Sequence, residues 1–115
     1  MLNNNYYDDL ITLSNGSWIG KKDSHYDFGY KDKVIIPSCS NFSYISGKLV
    51  VLKKGDKITV FSMHIVKENG VETVEKILEF SSFSKVAYGK IICEYYTYLI
   101  DGNCQIKFSE KNHIN

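Results

Sequence analysis

The densest set of groups able to do chemistry lies between Ile91 and Ile100, where Glu94 is followed by Tyr95, Tyr96 and Tyr98. A carboxylate beside phenols supplies either an acid and a base for proton transfer or a flat platform on which a sugar ring stacks. Tyrosine is also a good strand former, and that plain use accounts for most tyrosines. His25 with Asp27 is the second pairing of a base with a carboxylate. Neither pairing belongs to a catalytic signature: there is no nucleophile elbow, phosphate-cradling glycine loop, zinc helix or calcium loop. The three histidines (His25, His64, His113) are far apart and lack any H-x-H or H-x-x-x-H spacing, so no metal site is expected. No catalytic residue and no cofactor is assigned.

Cys39, Cys93 and Cys104 are odd in number and include no C-x-x-C, so reduced thiols are expected. All fourteen basic residues are Lys. Without guanidinium forks there are no bidentate contacts to phosphate or guanine edges, and a net charge of +1 steers nothing acidic over distance, so no nucleic-acid partner is expected. The missing arginine reads as the mark of an AT-rich coding sequence. No apolar run approaches the roughly 20 residues that span a bilayer. The first Lys is Lys21 and the opening is polar, so no signal peptide is expected and the expected location is cytoplasmic, or secreted if the chain is a processed form.

The elements that must position these groups are short β-rich runs separated by Gly, Asn and Asp. Expected strands are Trp18 to Lys22, Tyr26 to Tyr30, Lys33 to Ile36, Phe42 to Leu52, Lys57 to Lys67, Val71 to Phe80, Val86 to Ile100 and Asn103 to Ser109. With 115 residues this is one antiparallel β domain over residues 1–115, residues 1–13 forming a loose N-terminal segment or docking as a helix or edge through Leu10, Ile11 and Leu13. The expected class is all-β, a small antiparallel up-and-down β-barrel. The alternatives are a β-sandwich, or α+β if residues 71–80 are helical, since Val71, Val74, Ile77 and Leu78 also fit a helical stripe.

Asn69-Gly70 and Asp101-Gly102 are dipeptides that two-residue type I′ turns prefer, and such turns fix register. The first sets Ile65 opposite Val74, Phe61 opposite Leu78 and Thr59 opposite Phe80 on an inner face, with His64 opposite Glu75 outside. The second sets Leu99 opposite Cys104, Thr97 opposite Ile106 and Tyr95 opposite Phe108 inside, leaving Tyr96 and Tyr98 outside near Lys107. Nine Tyr and six Phe are thereby divided into an inward row, including Phe61, Phe80, Tyr95 and Phe108, and an outward pair, Tyr96 and Tyr98.

Gly16-Ser17-Trp18 is a G-x-W at the threshold of the first good strand, with further strands following, and in this the chain resembles the calycin superfamily of lipocalins, fatty-acid-binding proteins and avidins. The resemblance implies a Trp packed at the start of an up-and-down barrel and a basic residue near the last strand lying across it. Lys107 is the nearest match, where lipocalins usually have Arg. It also implies a carrier of a small apolar or aromatic ligand in the lumen, with Phe61, Phe80, Tyr95 and Phe108 as the ligand-binding residues. The outward tyrosines point elsewhere, to a non-catalytic protein-interaction module such as an immunity, inhibitor or host-interaction protein, contacting its partner through Tyr96, Tyr98 and Lys107. This second reading is preferred, with the ligand carrier as its alternative.

Overall fold

The computed structural model describes residues 6–82 and 88–113. Eleven strands run in chain order: β1 (Asp9–Thr12), β2 (Ser17–Lys22), β3 (His25–Tyr30), β4 (Lys33–Cys39), β5 (Asn41–Ile45), β6 (Leu49–Lys54), β7 (Lys57–Glu68), β8 (Val71–Ser81), β9 (Tyr88–Ile92), β10 (Tyr96–Asp101) and β11 (Ile106–Lys111). A single 3-10 turn, Ser14–Gly16, joins β1 to β2. The class is all-β. Residues 71–80 lie within β8, which removes the α+β alternative.

Three antiparallel sheets form, in the orders β1-β2-β3-β4, β5-β6-β7-β8 and β11-β10-β9, and none closes into a barrel among the described residues. Two long expected strands are broken by hairpins. Phe42 to Leu52 folds back at Ser46 and Gly47, which take consecutive positive φ of 54° and 66°, a conformation glycine adopts without strain. Val86 to Ile100 folds back between Ile92 and Tyr96, closed by Cys93 N–H donating to Tyr96 O at 2.8 Å; its expected start at Val86 lies outside the described residues. Each extra reversal shortens the strands and turns the chain out of one continuous meander into stacked sheets.

The centre of the middle sheet, β6 and the first half of β7, is buried on both faces. Leu49 to Leu52 is a continuous apolar run, as expected of a strand covered on two sides. Its side chains alternate between two cores: Val50 and Leu52 join Phe61, Met63 and Val74 against Ile19, Phe28, Tyr30 and Cys39 of the first sheet. Leu49 and Val51 join Ile45, Ile58 and Val60 against Ile91, Tyr98, Ile100 and Cys104 on the third-sheet side. Phe28 and Phe61 meet in the first core with ring centroids 5.1 Å apart. Each fully buried aliphatic side chain contributes about 1.5–3 kcal/mol, so the two-sided burial of β6 and β7 makes the middle sheet the backbone of the fold.

Residues 6–13 are docked rather than loose. Asp8 N–H donates to Lys21 O at 2.8 Å and β1 pairs with β2 from Asp9↔Lys21 to Thr12↔Trp18. Tyr7 lies on the outer face of the first sheet with its ring 5.4 Å from that of Trp18 and its hydroxyl donating to Asp27 Oδ2 at 2.9 Å. Burial and the Asp27 carboxylate push the Tyr7 phenol up to about 12.

Candidate functional site

A cleft of about 590 Å³ opens between the β1–β2 connection, the middle of β7 and the turn that joins β9 to β10. That volume falls within the ~300–1,000 Å³ usual for small-molecule sites. Its walls come from the 3-10 turn (Ser14, Asn15), the β5–β6 turn (Lys48), mid-β7 (Ser62 to His64) and the Cys93 to Tyr98 stretch. The Glu94, Tyr95, Tyr96, Tyr98 set that stood out in the sequence therefore lines one cavity together with His64. His25 and Asp27 do not take part: they lie on β3, where Asp27 accepts from Tyr7 and from Ser38 N–H at 2.9 Å.

A wide irregularity in β7 opens the wall. Near the Asn69-Gly70 turn the expected register holds, with Ile65 facing Val74 and Val66 facing Thr73. Beyond it, Phe61 faces Lys76 instead of Leu78, so four steps along β7 span only two along β8. With Val60 facing Leu78 the irregularity nets to one extra residue on β7, and Ser62, Met63 and His64, which have no partner in the β8 ladder, all line the cleft. His64 is exposed there, as expected, but is not a ladder partner of Glu75. Met63 keeps its backbone satisfied by donating to Lys48 O at 2.9 Å, and its carbonyl accepts from Asn15 Nδ2.

The opposite wall is pinned by one side chain. Asn112 donates from its backbone N–H to Tyr95 O at 2.7 Å and from Nδ2 to Cys93 O at 2.8 Å, while its Oδ1 accepts from Thr97 Oγ1 at 2.7 Å. The Glu94-Tyr95 turn is thus held by the chain's own hydrogen bonds. Tyr96 and Tyr98, two residues apart on β10, stack with centroids 6.1 Å apart and an interplanar angle of 27°. Lys48 Nζ stands 5.9 Å from the centre of the Tyr95 ring. Burial raises the Cys93 thiol, opposed by Lys48, so at neutral pH it is a protonated wall residue rather than a nucleophile.

No protein-family model, curated protein or solved structure matches this chain.

The third sheet corrects the expected register at Asp101-Gly102. Leu99 faces Phe108, not Cys104, and Ile100 faces Ile106 across a bulge. The reason is the Asp101 side chain, whose Oδ1 accepts from Asn103 N–H and Gln105 N–H at 2.9 Å each, while Asp101 N–H donates to Gln105 O at 2.9 Å. An aspartate that gathers its own loop in this way builds a wider bend than a two-residue turn. Burial alone would raise the Asp101 carboxyl, but the Gln105 and Asn103 N–H groups and the Lys107 ammonium, 3.4 Å from Oδ2, outweigh it and hold it below the usual range.

Faces change with the register. Tyr98 is buried in the second core at 7% exposure, whereas Tyr96 remains 41% exposed, so they are not a pair of outward contacts. Lys107 neutralises Asp101 instead of flanking Tyr96, whose cross-strand partner is Lys111. The inward row is dispersed: Phe61 sits in the first core, Phe80 packs at the edge of the second, and Tyr95 and Phe108 are exposed. Trp18 is roofed by Tyr7, and its Nε1 donates to Lys31 O at 2.8 Å.

One surface escaped the sequence reading. Cross-strand pairing of Thr97 with Ile92 and of Leu99 with Phe108 puts Ile92, Leu99 and Phe108 on the outer face of the third sheet, opposite the buried Ile91, Tyr98 and Ile100. Ile92 is 70% and Phe108 53% exposed, with Lys90 and Glu110 beside them on the same face. The signal lay in the doubled Ile91-Ile92, of which a strand can bury only one on a single face. All three cysteines are free, Cys39 and Cys104 being buried. Among the described residues no group of His, Cys, Asp or Glu is arranged to hold a metal ion, and no helix is long and apolar enough to cross a membrane.

Proposed function

We propose that the protein works by binding another protein, using the outer face of the third sheet and the neighbouring lip formed by Tyr95 and Tyr96. The observation that carries this reading is the exposure of Ile92 and Phe108 on one sheet face, with the half-buried Leu99 beside them. Large apolar side chains gathered on one face and rimmed by charge are the composition of an interface centre. Lys90 and Glu110 would form the polar rim, which sets orientation and on-rate more than affinity. An immunity protein, an inhibitor or a host-interaction factor uses such a face without chemistry of its own. The contact set shifts accordingly from Tyr96, Tyr98 and Lys107 to Ile92, Phe108, Tyr95 and Tyr96, because Tyr98 is core and Lys107 is engaged with Asp101.

The test is differential capture from extracts of the source cells or their targets. Immobilised wild-type protein should retain a specific partner that Ile92→Lys and Phe108→Ser lose. Val71→Ser, at an exposed position on the far β7–β8 turn, should retain it. Capture by the two face variants at wild-type level would overturn the reading.

A further inference from the structure

We propose that the three-sheet cleft is a carbohydrate site that takes a neutral sugar ring, stacked on the Tyr95–Tyr96 lip and hydrogen-bonded by Glu94 and His64. This does not rest on the protein-binding reading, which is carried by Ile92 and Phe108 on the outer face of the third sheet and shares only the Tyr95–Tyr96 lip with the cleft.

A pyranose presents an apolar C–H face and a rim of hydroxyls that both donate and accept. A site for it needs an aromatic surface together with uncommitted polar side chains of both kinds. The cleft has the aromatic surface in exposed Tyr95 and Tyr96, the latter backed by the buried Tyr98 ring at 6.1 Å. Its polar groups fall into two sets. Ser14 is committed to Tyr44 OH at 2.6 Å and to Gly47 O at 3.2 Å, Asn15 to Met63 O, and Ser62 Oγ accepts His64 N–H at 3.1 Å. These brace the wall. The Glu94 carboxylate and the His64 imidazole have no hydrogen-bond or ion-pair partner among the described residues, and both line the cavity. A carboxylate accepts, and a neutral imidazole both donates and accepts, which matches hydroxyl chemistry.

Charge argues for a neutral ligand. Lys48 and Glu94 are the charged side chains of the lining and are opposite in sign, so neither an anion nor a cation finds a net field there. A purely apolar ligand would leave Glu94 and His64 desolvated without partners. Rigidity favours binding too: the Asn112 hydrogen bonds fix the Glu94-Tyr95 turn beforehand, which lowers the ordering cost of association.

The test is a ¹H–¹⁵N NMR titration of the full chain with separate neutral disaccharides of glucose, galactose, mannose and N-acetylglucosamine, at millimolar concentration. At least one should move amide resonances confined to residues 47–49, 62–64 and 93–98. Tyr96→Ala should weaken that binding by roughly tenfold or more, equivalent to about 1.4 kcal/mol. Glu94→Gln, nearly isosteric and solvent-exposed, should weaken it without changing the thermal midpoint, so a loss cannot be put down to misfolding. Phe108→Ser, outside the cleft, should leave sugar binding unchanged while impairing protein capture. Absence of localised shifts with all four sugars, or shifts undiminished in both Tyr96→Ala and Glu94→Gln, overturns the proposal.

Discussion

The outer faces of the first and third sheets meet the same problem in opposite ways. Each sheet packs its inner face on the middle sheet and turns the other outward. On the first sheet, Trp18 is only 4% exposed although it lies on the outer side, because the chain's own Tyr7 ring covers it and Gly29 makes room for the indole. A β-carbon on Gly29 would overlap the Trp18 ring, and one on Gly20 would run into Tyr7. The third sheet has no such roof among the described residues, and Ile92 and Phe108 stand in solvent. Outer faces closed by the chain itself serve stability, whereas one left apolar and open is free to serve a partner. The contrast predicts that substitutions on the two faces will separate folding from binding.

The largest effect is expected at the closed face. Trp18→Ala removes a buried indole and its hydrogen bond to Lys31 O, and should cost about 3–5 kcal/mol in chemical denaturation. A loss below about 1 kcal/mol would mean that the roof contributes little and the comparison fails. Next in size is the bend that holds the third sheet. Asp101→Ala leaves the Asn103 and Gln105 N–H groups without their acceptor and should cost about 1–3 kcal/mol. Because the folded carboxyl is held below its ordinary value of about 3.9, its contribution is complete above that pH and is lost as pH falls through the folded value. The gap between wild type and Asp101→Ala should therefore narrow below about pH 4. Urea midpoints measured from pH 6 down to pH 2 check this, on an acid scale set by the carboxylates.

Smaller still is the hydroxyl of Tyr7. Tyr7→Phe keeps the ring over Trp18 but gives up the hydrogen bond to Asp27, a loss of about 0.5–1.5 kcal/mol. Its signature is alkaline. The folded phenol is raised to about 12, above the ordinary value of about 10, so its stabilisation is complete below pH 10 and disappears as pH rises through 12. Wild type and Tyr7→Phe should converge in stability across that window. A constant difference would show that the Tyr7–Asp27 bond does not hold the N-terminal segment down.

How much of this was legible in the sequence depended on how local the signal was. Asn69-Gly70 adopts consecutive φ of 53° and 80°, as the dipeptide demands, and register follows it as far as Ile65. It fails at Phe61 because a bulge answers to packing between sheets, which no single hairpin encodes. Asp101-Gly102 misled because Asp has a side chain that competes for its own loop, an option that depends on the burial and the Lys107 pairing supplied by the rest of the fold. That one error inverted β10, turning Tyr98 into core and exposing Tyr95 and Phe108. The Glu94 to Tyr98 cluster was visible as composition, and its place in the cleft follows from a turn that the sequence reading had taken as continuous strand. His64 joins it from β7, some thirty residues away along the chain and on another sheet, so adjacency could not be read from spacing.

The smallest effect on folding should come from the open face and the largest effect on binding from the same place. Phe108 is 53% exposed on β11, a strand whose six residues are all exposed, so Phe108→Ser removes little buried area. Exposed substitutions of this kind usually fall within about 0.5 kcal/mol in stability. Ile92→Lys should behave alike, since 70% of that side chain already faces solvent. If the face is a contact centre, either change should cost a partner about 2 kcal/mol or more, roughly thirtyfold in affinity by titration calorimetry, because truncating a buried apolar anchor falls in the hot-spot range. The two readouts sharpen the comparison only together. A stability loss as large as that at Trp18 would mean that the third sheet's outer face is covered like the first, and its exposure would no longer call for a partner.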